Sequence, residues 1–157
     1  MADLAQADRE SKMLARYIEL GKQPEATRNE RLLEMVRADF ALPEDKLKSF
    51  TLSRMRVFLK LPPEPAKTMA AAYDTVMLKM PASAAMRRVT LVQTLAKDFT
   101  PDEEERLREL NPNLFAGLPS RKSEKERTDL LSAKAKAETA QRSAASGKSG
   151  WWPFGKK

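Results

Sequence analysis

The 157-residue chain contains no cysteine and no histidine. The first absence excludes disulfides and thiolate chemistry, and the second removes the commonest metal ligand and the side chain best suited to general base work near neutral pH. Aromatic residues make up only 6% of the chain, so a core must be built mainly from Leu, Met, Val and Ala. No apolar run approaches the roughly 18 residues that cross a bilayer. The first ten residues, MADLAQADRE, are polar and acidic and have no signal-peptide core, so the expected location is the cytoplasm.

What the chain does have is charge, unevenly placed. Residues 1–119 hold 19 Lys/Arg against 18 Asp/Glu, whereas residues 120–157 hold 10 against 4. A nearly neutral body precedes a basic arm, and an anionic partner is expected to meet the arm and not the body. The length allows one domain with a modest core plus extensions.

Proline punctuates the body at 24, 43, 62, 81, 101 and 119, close to every 19 residues. Several are followed by acidic residues, as in PEAT, PEDK and TPDEEE. Pro suits the first helical position, where its missing N–H would be unpaired anyway, and carboxylates favour the positive end of the helix dipole. The pattern predicts helices over about 3–20, 25–40, 44–60, 64–80, 83–98 and 101–110, and a polar one over 121–142. Gly21 is expected to stop the first, Thr100 to cap the sixth, and Ser123 with Glu126 to form a capping box on the seventh. Similarity between successive 19-residue units is too thin for a homologous solenoid, so the fold class expected is all-α: a compact bundle of about six short Pro-punctuated helices. The domain reading is a bundle over 1–119, a polar basic spacer helix over 120–142 and a flexible basic-aromatic tail over 143–157.

Catalytic constellations are sparse. SGKSG at 146–150 contains the GKS of a phosphate loop, but Arg142 stands where that loop needs a Gly and no strand precedes it. Asp102 to Glu105 are consecutive at a helix start, so they fan around the axis instead of converging on a cation. Tyr73 beside Asp74 and Lys67 is a faint acid/base candidate. No enzyme, metal, cofactor or small-molecule substrate is expected. Met69, Met77, Met80 and Met86 read as core filling in preference to a partner groove.

Two candidate surfaces remain. On the third helix, Lys46, Ser49, Ser53, Arg56 and Lys60 fall on one stripe, with Arg54 and Lys48 beside it. The stripe is either an anionic-partner site, through Lys46, Arg56 and Lys60, or the solvated edge of a buried helix. The second surface is the C-terminal WWPFGKK, where the only two Trp of the chain, Trp151 and Trp152, stand with Phe154 and with Lys148, Lys156 and Lys157. A Gly/Ser joint precedes them, and Pro153 keeps the motif extended. Trp and Phe lodge at headgroup level while Lys is drawn to acidic lipid, and Arg142 with the three Lys would supply about 4 kcal/mol. Trp is also a common anchor in protein pockets and stacks on single-stranded nucleic acid. The function expected is a non-enzymatic cytoplasmic adaptor or assembly factor, with a protein partner and a tail that attaches to a membrane surface or membrane-bound complex. Its place would then be peripheral, at the inner face of a membrane. The alternative is a small nucleic-acid-binding protein using the arm and the third-helix stripe.

Overall fold

A computed structural model describes residues 4–146, with side chains as far as Gln141. Seven α-helices follow one another and no strand occurs among the described residues: α1 Gln6–Gly21, α2 Glu25–Phe40, α3 Glu44–Lys60, α4 Pro63–Met77, α5 Ala82–Leu95, α6 Pro101–Leu110 and α7 Arg121–Ser146. The all-α class is therefore as expected, and helix bounds differ from the sequence reading by a few residues. α4 is the clearest difference, because Leu78 to Met80 form a turn before Pro81 instead of a last helical turn. Chain contacts divide the protein into residues 1–118 and residues 119–157.

The prolines start helices by a different device from the one expected. Pro24, Pro43, Pro62 and Pro81 are N-caps lying just outside the helix, with φ between −53 and −56° and ψ between 145 and 153°. An N-cap needs extended backbone, which the proline ring presets, and its carbonyl accepts the first intrahelical bond. Arg28, Leu47 and Ala66 donate to the carbonyls of Pro24, Pro43 and Pro62 at 2.9, 2.8 and 3.0 Å. Among the described α-helices, Pro63 and Pro101 occupy the first helical position. α6 has the full capping box: the Glu103 N–H donates to Thr100 Oγ1 at 3.2 Å and the Thr100 N–H donates to Glu103 Oε2 at 2.9 Å. The Thr100 N–H and, at 3.0 Å, the Thr100 hydroxyl both donate to Glu103 Oε2 and hold that carboxyl below its ordinary pKa.

In the first unit α2 packs on α4, α1 lies against α3 and α4, and α3 meets α5 and α6. Tyr17, Phe58 and Tyr73 form a triangle at the centre, with ring centroids 5.8 to 6.0 Å apart. Leu32, Val36, Met69, Val76 and Leu95 are buried in the same core. Of the four methionines read as core, Met69 and Met77 are buried and Met80 packs against the core from its edge, but Met86 is 66% exposed. Met86 lies on the outer side of α5, two residues before the buried Arg88. At the far end of the unit, Gly117 has φ +79°, in the left-handed region where a side chain would be strained. Arg108 reaches over that turn to the carbonyls of Phe115 and Leu118 at 3.3 and 2.9 Å.

The second unit is described as one helix. α7 is 26 residues long, about 39 Å at about 1.5 Å per residue. The expected capping box lies too far along the chain: α7 begins at Arg121, and the Ser123 N–H donates to Ser120 Oγ at 3.4 Å. Ser123 is thus a first-turn residue, and the serine directly after Pro119 supplies the cap. Every described side chain from Lys122 to Gln141 is exposed, including Leu130 and Leu131 at 72 and 59%. No described helix is long and apolar enough to cross a membrane.

Candidate functional site

The tail residues singled out in the sequence, Lys148, Trp151, Trp152, Phe154, Lys156 and Lys157, lie outside the described residues, as does the GKS segment. The other candidate, the stripe on α3, is fully described. Ser49, Ser53, Arg56 and Lys60 of the stripe face α1. Arg9 donates through Nε to Ser53 Oγ at 3.0 Å and through Nη2 to Ser49 Oγ at 2.9 Å. Glu10, itself buried, takes Lys60 Nζ at 2.7 Å and Arg56 Nη1 at 3.6 Å. Arg56 and Lys60 therefore already hold a carboxylate of their own chain, and Lys46 lies on the exposed start of the helix. Arg9 and Glu10, adjacent in α1, carry the complementary pattern that joins α1 to α3. Their signal was present in the sequence as a charged pair on the same helix as the apolar Met13, Tyr17 and Leu20.

Arg54, read from the sequence as an addition to the stripe, is instead buried on the opposite side of α3. It is four residues from both Phe50 and Phe58, so helical geometry places it on the apolar face. Its guanidinium lies 5.0 Å from the Tyr73 ring centroid and 5.7 Å from that of Phe50, and it forms an ion pair with Asp39 of α2. Burial works against its charge, but Tyr73, Asp39 and Tyr17 more than offset that and hold its pKa above the ordinary arginine value. Arg88 approaches the Tyr73 ring at 5.6 Å and donates to Asp74 Oδ1 at 3.0 Å. For Arg88 burial wins and lowers the pKa, against the pull of Asp74. The phenols of Tyr17 and Tyr73 hydrogen-bond each other, and burial raises both pKa values.

This centre has the ingredients of a site, yet little room. A cavity of about 30 Å³ is lined by Thr51, Arg54, Tyr73, Arg88 and Asn111 among apolar side chains. A water needs about 10–15 Å³, so the cavity is water-sized and does not admit an organic substrate. The acid/base trio is not assembled, because Lys67 pairs with Glu64 at 3.3 Å on the surface and Asp74 is engaged by Arg88 and by Asn113 at 3.3 Å.

Comparison with known proteins adds no relative: no family model, no curated protein and no solved structure matches the chain.

The α6 carboxylates act locally. Glu103 completes the cap of Thr100, and Glu104 is buried against Arg108 at 3.0 Å. No group of three or more Asp or Glu side chains among the described residues could hold a metal ion. What remains outward-facing is the length of α7 and a set of open grooves on the first unit. One of these, between α2 and α5, measures about 520 Å³.

Proposed function

We propose that the protein is a non-enzymatic interaction protein, an adaptor or assembly factor. In this reading the helical body holds one partner, and the C-terminal WWPFGKK attaches to an acidic membrane surface or to a protein bound there. The protein works in the cytoplasm, peripherally at the inner face of a membrane. The observation that supports this is α7. A 26-residue helix whose described side chains from Lys122 to Gln141 are exposed has the length and polarity of a spacer leading to the aromatic-basic motif. Four basic residues and three aromatics make a reversible anchor, and stable attachment normally needs a second contact, for which the body is available. The alternative nucleic-acid reading is weakened where it relies on the α3 stripe, because Arg56 and Lys60 are occupied by Glu10.

Tryptophan fluorescence of the full chain tests the reading directly, since Trp151 and Trp152 are its only Trp. With phosphatidylserine-containing vesicles the emission should shift to the blue. The variant carrying Trp151→Ala and Trp152→Ala should lose most vesicle binding even at low salt, and Lys156→Gln with Lys157→Gln should bind more weakly and with less salt sensitivity. Quenching by oligonucleotides with little blue shift, and competition by them against vesicles, would overturn it in favour of single-strand binding.

A further inference from the structure

We propose that the groove between the C-terminal end of α2 and the first turns of α5 docks an acidic peptide segment through one large apolar side chain. This rests on the interaction-protein reading and names the partner chemistry for its helical body. The groove measures about 520 Å³, within the range of about 300–1,000 Å³ typical of ligand sites. Its floor is apolar: Phe40, Met80 and Ala84 line it, each partly buried and packed from outside on the core. Their inner sides are therefore held by the bundle and their outer sides are available.

Charge selects the occupant. Two arginines line the groove, Arg37 in the last turn of α2 and Arg87 in the second turn of α5. Arg37 is exposed and has no hydrogen-bond or ion-pair partner among the described residues. Arg87 is paired with Glu44, whose side chain is 69% exposed, so a docked carboxylate can share or replace that contact with little rearrangement. A guanidinium binds carboxylate in a planar fork, which orients as well as attracts. The first turn of α5, which carries the groove residue Ser83, contains no Asp or Glu, whereas those of α2, α3, α4 and α6 each contain at least one. The adjacent helix dipole is thus not screened by a carboxylate of its own first turn. The fit is a segment with Leu or Phe between Asp and Glu residues: the apolar side chain meets Phe40, Met80 and Ala84 while flanking carboxylates meet Arg37 and Arg87.

Nitrogen-15 amide spectra of the full chain, titrated with a short synthetic peptide holding Leu and Phe between Asp and Glu residues, provide the test. Saturating shifts should concentrate at Arg37, Phe40, Ser83, Ala84 and Arg87. The single variant Arg37→Glu should weaken the peptide at least tenfold, and adding Arg87→Glu should weaken it further; both should keep the wild-type helical circular dichroism, because neither side chain is buried. A control peptide with Lys at every acidic position should not bind the groove. The proposal is overturned if the acidic peptide leaves these amides unmoved, if its shifts centre elsewhere, or if the Lys peptide or the Arg37→Glu variant gives the same affinity. Vesicle binding through the Trp pair is measured on the same samples: its persistence alongside a silent groove sinks the groove alone, and its absence in addition sinks the interaction reading.

Discussion

The first unit and α7 use the same kinds of residue for opposite purposes. In residues 4–118 charged side chains help hold helices together: Arg54 with Asp39 across α3 and α2, Glu10 with Arg56 and Lys60 across α1 and α3, and Arg88 with Asp74 across α5 and α4. α7 is as rich in charge, yet all of its described charged side chains beyond Arg121 are exposed. Helical sequence alone therefore does not decide whether a charge becomes structural. What decides it is whether the opposite face of the same helix has apolar residues to bury, as α3 does with Leu47, Phe50, Val57 and Phe58 and α7 does not.

The largest test of that contrast is Asp39→Ala, which leaves the Arg54 charge buried without its carboxylate. Urea unfolding should show a loss of about 3–5 kcal/mol, while replacing both partners by apolar residues should recover most of it. A double variant as unstable as Asp39→Ala would show that the pair stabilises by more than mutual compensation. A smaller effect should follow Thr100→Ala, about 1 kcal/mol at neutral pH, from loss of the α6 cap. Because the Glu103 pKa is depressed in the folded state, its contribution is present above the unfolded value and fades as pH falls through the folded one. The gap between wild type and Thr100→Ala should accordingly narrow below about pH 4. The smallest effect belongs to α7. Ala133→Gly together with Ala137→Gly should reduce helical circular dichroism, since that helix relies on intrinsic propensity, at about 1 kcal/mol per Gly. The unfolding midpoint of the first unit should stay within about 2 °C. A drop of many degrees would mean that α7 contributes to the core.

Much of the fold was legible because proline and apolar spacing act locally. Each of the six regularly spaced prolines from Pro24 to Pro119 marked a helix start to within a residue or two, although at 24, 43, 62 and 81 it stands one place earlier, as the cap. The α3 stripe was also legible as a face, but not its partner, because the 3.6-residue period gives direction and says nothing of what lies opposite. Glu10 and Arg9 are forty or more residues from the α3 side chains they meet. Arg54 was misread for a related reason: side-chain type suggested solvent while its spacing from Phe50 and Phe58 placed it inside. The α2–α5 groove left no trace in the sequence, since it is made by half-buried edges of two helices more than forty residues apart. The aromatic tail, the strongest functional signal in the sequence, owes its prominence to composition alone.

The exposure of α7 also bears on the protein's lifetime. Arg127, Lys134 and Lys136 are exposed on α7, and a protease specific for basic residues needs only a local opening of such a helix to cut. In the first unit, whose helices are held by a shared core, a cut needs an opening of that packing. One cleavage in α7 would therefore part the C-terminal residues from the first unit without unfolding that unit.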